Sequence, residues 1–557
     1  MTSISKEIIV VFDVKNMHFR RLNLLLTSKS VFVQKLNGIR FVLGFRFNYS
    51  IYEFDRQFHF KLILFRRNFF YTFAALMQIL LTLFYTLIFV LSIYKLKFFA
   101  IPGFSRNAVA AVFILKIFAG IAVWWVYTYY YPGGDMQNYF DDGKKLFHLL
   151  LDKPKLFYNV VFNNAHYSGL KIWNANFDSA LYNDAHTMSL LNMLFLFFSF
   201  GCLQVHIVFM CFLSMIGLTA LYKTFEKYVP LQRNKLFIAV FLVPSVLFWS
   251  SGILKEGLLI FGLGIFLYSS NCGLPTSYNR RKITALLLSL FILLVIKFYV
   301  LIALLPGLCL NLIVRYTSEK LLFIKYFSVV IIIGIGAFAL TYINKDYNPL
   351  VLIKDKQAKA ILEARGGVYL SNKEKVVCIN YIDKEEQLKQ INDSTYKIVK
   401  GSNYIFWKAD DMSTYDSIIK SQDTSSYQIA YTVVPAQSII KLNFIKPDFS
   451  NILAVLPQAL FNVFLQPMIW DADDIIQLIP AVENIIIVIL IILSLVFINK
   501  KFENKTIVFF CLSFVLILFV LVGITTPAVG ALIRYKIPAL PFLLISLILI
   551  TSKSKAN

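Results

Sequence analysis

Charge is scarce in this chain. Asp, Glu, Lys and Arg make up only 15% of its 557 residues, where soluble domains carry about a quarter, so a soluble globular protein is excluded. Cysteine is sparser still. Cys202, Cys211, Cys272, Cys309, Cys378 and Cys511 form no CxxC pair and mostly lie in or beside apolar runs, which excludes a disulfide framework or a zinc ribbon. The six histidines offer no HExxH or paired-ligand spacing, so no metal is expected. No standard signal peptide is expected either, because the first long apolar run begins only near Phe69. No internal repeat or low-complexity tract stands out.

What the chain has is hydrophobicity. Apolar residues reach 58% and the mean hydropathy is +0.67, with several windows longer than the roughly 18 residues that cross a hydrocarbon core. The expected fold is an all-α polytopic membrane protein of about 10–12 transmembrane helices, with interfacial helices and one small extracytoplasmic insertion. Candidate spans are 69–94, 108–131, 203–222, 236–250, 257–270, 284–296, 298–313, 321–343, 484–499, 506–523 and 536–551. The pair 284–296 and 298–313 is divided at Lys297, because a mid-membrane charge costs about 2.5–3.5 kcal/mol on insertion scales. A turn there lifts Lys297 to an interface. Four regions follow: a basic arm over 1–68, a membrane core over 69–343 with an extracytoplasmic loop at 132–187, an extracytoplasmic insertion over 344–450, and an interfacial and membrane segment over 451–557. The insertion reads as a solvated segment without chemistry of its own.

The net charge of +24 does not indicate nucleic acid, because Lys and Arg gather in short loops between spans, as cytoplasmic loops do. Arg280, Arg281 and Lys282 mark one such loop; Lys223, Lys227, Arg233 and Lys235 mark another. Alternation then assigns Trp249–Glu256, Lys297, 344–483 and Gly523–Lys536 to the opposite, outer side. Met188–Gly201 is short for a span and is followed by Gln204 and His206, so it reads as an interfacial or re-entrant helix, and 132–187 falls outside as well. The basic arm opposes this: residues 1–68 carry twelve Lys and Arg against four Asp and Glu. Either 69–94 does not cross, or the arm is an exception to the charge rule, or the start lies downstream, with Met77 a candidate.

Three polar groups interrupt the apolar pattern. Tyr131-Pro132-Gly133-Gly134-Asp135 ends a span, and Pro-Gly-Gly turns the backbone sharply. Asp135 is thereby held at the membrane edge, where desolvation makes a carboxylate a better base; the plainer reading is an aspartate capping the next helix. Lys255-Glu256, after Trp249-Ser250-Ser251-Gly252, is costly to insert without partners, and neighbouring residues on a helix do not neutralise each other; the plainer reading is a snorkelling lysine with a tryptophan anchor. The third group is Lys297-Phe298-Tyr299, Trp470, Glu483-Asn484 and Arg534-Tyr535. Arg534 has the fork geometry to grip a phosphate, and Trp470 reads as an interface anchor. Lys255, Lys297 and Arg534 with Asp135 and Glu256 fall on one expected face, a set suited to an anionic lipid headgroup.

The order of these motifs resembles the GT-C superfamily of membrane glycosyltransferases. The likeness runs from Gly133-Gly134-Asp135…Tyr139 through Phe198-Ser199-Phe200-Gly201 and Trp249…Lys255-Glu256 to Arg534-Tyr535-Lys536-Ile537-Pro538…Pro541-Phe542, over roughly 108–340 and 450–550. In that superfamily the loop after the first conserved span carries an essential acid, which the resemblance puts at Asp135. Many members have paired acids there, whereas Asp135 is followed by Met136. The resemblance implies an inverting, metal-independent transferase of the bacterial inner membrane, with no cofactor. It would move a sugar from a polyprenyl-phosphate donor to a glycan, lipid or protein acceptor. Asp135 would be the base; Lys255, Lys297, Arg534 and Tyr535 would hold the lipid phosphate, with Glu256 orienting Lys255. Gly133, Gly134, Tyr139, Trp249, Trp470 and Glu483 would support them. An O-antigen-type polymerase would transfer whole repeat units with similar cations. A lipid-linked glycan transporter would favour charges in mid-bundle and repeated halves.

Overall fold

The computed structural model describes residues 56–130, 134–162, 184–272, 279–344 and, with short gaps, 347–552, together with four short strands within 6–47. Among the described residues, eight helices are long and apolar enough to cross a membrane: Ala75–Lys95, Arg106–Tyr130, Leu203–Glu226, Arg280–Tyr316, Leu322–Tyr342, Ile475–Val496, Lys505–Thr525 and Val529–Thr551. This is the architecture of a multi-pass membrane protein. The expected helix count and the all-α fold can both be compared with this. About 10–12 transmembrane helices were expected; eight of the described helices meet the length and composition of a span, while 233–249 is interrupted ahead of Pro244, Lys255–Ser270 has only 16 residues, and Arg280–Tyr316 is two helical arms joined at Lys297. The chain is also not all-α, since 367–433 forms a sheet.

The chain divides into two units. The smaller holds Met1–Phe84 with Leu196–Cys202; in it Val33–Leu36 pairs antiparallel with Ile39–Val42, and Lys6–Glu7 with Arg46–Phe47. The larger, Tyr85–Phe195 with Leu203–Asn557, holds the bundle and the sheet.

Within the bundle, α1 (Leu203–Glu226) and α2 (Lys255–Ser270) run side by side in the same direction. Gly217 and Gly264 let their backbones touch, since a Cβ on either would overlap the other helix. Asn271, just past the end of α2, accepts from Lys227, just past the end of α1, which fixes the register. α3 (Arg280–Tyr316) then leaves helical geometry at Lys297, with φ −151° and ψ 80°. Its first arm climbs α2, with Ile292 against Gly262 and Lys297 at Glu256. Its second arm returns, because Asn311 donates to the Cys272 carbonyl at the far end of α2. A straight helix would carry Asn311 about 20 Å beyond Glu256. The chain therefore doubles back at Lys297.

These contacts define two ends. Lys255, Glu256 and Lys297 lie at one; Lys227, Asn271 and Asn311 lie at the other. Tyr222 bonds the Pro102 carbonyl at 2.9 Å, so the loop before Arg106–Tyr130 is at the second end and Asp135 emerges at the first. Helix α4 (Asp184–Ser199) does not traverse the bundle: Asp184 meets Lys255 at 2.9 Å and Asn192 meets His206, near the start of α1, at 2.7 Å.

The insertion begins with α5 (Pro349–Arg365) and continues as a seven-stranded sheet, antiparallel along its length, around Val368, Leu370, Val377, Ile379, Ile398 and Tyr427. Two of its ties to the bundle are backbone-directed hydrogen-bond sets. Buried Gln357 donates to the Ile524 carbonyl at 3.0 Å and accepts from Ile445 N–H at 2.9 Å. Ser438–Ile440 pairs with Pro527–Val529, ahead of the helix that carries Arg534.

Candidate functional site

The site is assembled at the first end of the bundle, where four separate segments bring charge out of water. Gly134 caps the helix Asp135–Asp152 in an extended conformation, so Asp135 stands in its first turn, where a negative charge is favoured. Gly134 is required by packing, because a Cβ would overlap the Tyr127 ring. Gly133 lies outside the described residues.

Arg534 is the centre. Its Nη1 donates to the Tyr127 hydroxyl at 2.8 Å, and its Nη2 to Asp135 Oδ2 at 3.1 Å and Glu256 Oε2 at 3.3 Å. The other Glu256 oxygen, Oε1, meets Lys297 Nζ at 3.3 Å. Glu256 is wholly buried and Lys297 is 6% exposed. The turn at Lys297 thus places the ammonium in a buried ion pair, where an interfacial cation was expected. Two cations and two carboxylates balance, which is how a buried charge becomes tolerable. Asp135 is the accessible member: its side chain is 44% exposed, and Oδ1 has no partner among the described residues.

Lys255 turns away from this group, pairing with Asp184 at 2.9 Å. Glu256 therefore does not orient Lys255, contrary to expectation; adjacent residues on the helix serve different partners. The cations of the site also sit over aromatic faces. Lys297 lies 3.8 Å from the Tyr535 ring centre, Lys255 5.5 Å from Tyr139, Lys356 4.1 Å from Tyr299, and the Arg534 guanidinium 5.9 Å from Trp249. A ring face holds a cation without neutralising it. Tyr139 is buried, and its hydroxyl has no partner among the described residues; burial first, and then Asp135, raise its phenol well above the ordinary value.

Two expected supporters stand apart. Trp470 is 79% exposed on a short 3-10 turn and, among the described residues, has no hydrogen bond or ring contact to the cluster. Glu483 is buried in Ile475–Val496, where its Oε2 accepts from Ser245 N–H at 2.7 Å. Nearby, Lys536 donates to Asn484 Oδ1 at 2.6 Å and the Val463 carbonyl at 3.2 Å. Among the described residues, no group of three or more His, Cys, Asp or Glu is arranged to hold a metal ion.

Sequence reasoning missed Tyr127, Asp184 and Lys356. It also missed Lys116, whose wholly buried ammonium donates to Ser250 Oγ at 2.7 Å and Ser251 Oγ at 3.0 Å. Lys116 carried a legible signal, a lone charge inside an apolar span, the same cost argument that singled out Lys297. Its bonds pin the turn that leads into Lys255-Glu256.

Comparison of the chain with family models, with curated proteins and with solved structures finds no match.

Proposed function

We propose that this chain is an integral membrane glycosyltransferase that moves a sugar from a polyprenyl-phosphate-linked donor to an acceptor hydroxyl on the outer face of the membrane. The observation that carries the reading is a half-exposed carboxylate, Asp135, held by the largely covered Arg534 beside lysines that rest on aromatic rings. Asp135 Oδ1 takes the acceptor proton as the hydroxyl oxygen attacks the anomeric carbon. The bond from that carbon to the phosphate oxygen breaks, and polyprenyl phosphate leaves with the bonding pair. Its growing negative charge is what fixed cations in a water-poor site stabilise. Arg534, already committed to Tyr127, Asp135 and Glu256, orients the base.

One observation favours the transporter alternative: Lys116 and Lys536 are buried charges away from this cluster. Both are bonded to hydroxyl, amide or carbonyl groups, the pattern of fixed struts. The test is reconstitution in liposomes with a polyprenyl-phosphate sugar, followed by mass analysis of the lipid. Release of free polyprenyl phosphate is the expected result. An unchanged lipid recovered in the other leaflet overturns the reading in favour of transport. Products extended by whole repeat units from a diphosphate carrier overturn it in favour of polymerisation.

A further inference from the structure

The inner group of the site is already in charge balance, with Arg534 and Lys297 facing Asp135 and Glu256. The outer group is not. Lys255 has Asp184 at 2.9 Å, whereas Lys356 has no carboxylate within ion-pair distance among the described residues. Lys356 is not a stray surface lysine. Its ammonium sits 4.1 Å from the Tyr299 ring centre, two residues beyond the Lys297 turn. The next residue, Gln357, is 2% exposed and bonded to the Ile524 carbonyl, so the helix that presents Lys356 is anchored over this end of the bundle. The side chain as a whole is exposed, while its tip lies among protein atoms, as long basic side chains permit. That burial and repulsion from Lys297 bring its pKa down to about 8, against the opposing attraction of Asp184. A positive group kept on a ring, near other cations and without a carboxylate, is arranged for an anion supplied from outside.

We infer that Lys356 and Lys255 form a receptor for a phosphate or diphosphate headgroup at the mouth of the site, outside the balanced group around Arg534. The inference rests on reading the cluster as a lipid-phosphate site, and it moves the anion from Arg534 to the outer lysines. The insertion 344–450 then contributes directly to ligand binding through α5.

The test uses the full chain in nanodiscs and calorimetric titration with four probes: farnesyl phosphate, farnesyl diphosphate, inorganic phosphate and inorganic diphosphate. Lys356→Gln is expected to weaken binding of the farnesyl probes about tenfold or more, the worth of one charge-assisted hydrogen bond. Lys356→Arg should remain within about threefold of the parent. Lys320→Gln, an exposed lysine at the opposite end, controls for overall charge and should leave binding unchanged. If the inorganic probes bind as tightly and with the same Lys356 dependence, the receptor stands and its ligand is a soluble anion. Binding unaltered by Lys356→Gln, equal loss with Lys320→Gln, or no binding by the parent overturns the inference. Lys356-dependent binding without any sugar transfer would remove the transferase reading and leave the receptor in place.

Discussion

The two ends of the bundle treat charge in opposite ways. At the end away from the site, Arg280, Arg281, Arg315 and Lys320 are exposed, and Arg233 pairs with Glu226 while keeping 40% of its side chain accessible. At the site end, Glu256 and Lys297 are buried, the Arg534 side chain is only 12% exposed, and each of these two cations faces both a carboxylate and a ring. The first arrangement is a solvated basic rim of the kind that orients a membrane protein. The second requires that the partners be placed before the charges are desolvated, because an unpaired ion in such surroundings is not tolerated. Basic residues alone therefore do not mark a site; their removal from water together with matched acids does.

The strongest way to break this contrast is Glu256→Gln, which leaves Lys297 and Arg534 without their shared carboxylate. A loss of about 3–5 kcal/mol is expected, read as a large fall in the thermal unfolding midpoint in detergent; an unchanged midpoint would show that the ion group is not structural. Gly134→Ala comes next. The added methyl must displace the Tyr127 ring and with it the bond to Arg534, at about 1–3 kcal/mol; the same melt, with Gly336→Ala as an open-space control, checks it. Titration supplies a smaller effect. Lys356 faces Lys297 and Tyr299 from α3 and Asp184 from α4, and its ordinary value is lowered to about 8. The ammonium is present below that value and lost above it, so farnesyl phosphate binding should weaken as pH rises through about 8, and Lys356→Arg should flatten the profile. A flat profile in the parent would exclude Lys356 from anion binding.

Lys116→Met sharpens the comparison from the other side. Ser250 and Ser251 keep their bonds to the Val246 and Leu247 carbonyls when the ammonium is removed, and no opposite charge is stranded. Stability should change by no more than about 1 kcal/mol, against the far larger cost at Glu256. Arg281→Gln, on the basic rim, should stay within about 0.5 kcal/mol.

Much of this was legible in single residues. Lys297 was found because a charge inside a thirty-residue apolar run has to be accommodated, and the chain does double back there. Met188–Gly201 was read as too short to cross, and Asp184 and Asn192 hold the helix at the site end. What escaped was pairing. Sequence order places Glu256 beside Lys255, yet the helix sends them to different partners. Residues 367–433 were read as part of a small extracytoplasmic insertion without strands being assigned, because charges break the apolar runs, although Val-Tyr-Leu, Lys-Val-Val-Cys-Ile and Tyr-Gln-Ile-Ala-Tyr carry the β-branched and aromatic residues of strands. Lys356, in a segment that looked like solvated insertion, gains its meaning only from the Tyr299 ring beneath it. Trp470, read as an interface anchor that also supports the site, is 79% exposed.

The account turns on Asp135 as the accessible carboxylate of a buried, arginine-centred group. The direct measurement is sugar transfer from a polyprenyl-phosphate donor by purified Asp135→Asn in liposomes, beside Asp141→Asn, a half-exposed aspartate on the same helix that pairs only with Lys144 and Gln137. Transfer should fall about 100-fold or more for Asp135→Asn and stay near the parent rate for Asp141→Asn. Equal, undiminished transfer by both variants would contradict it.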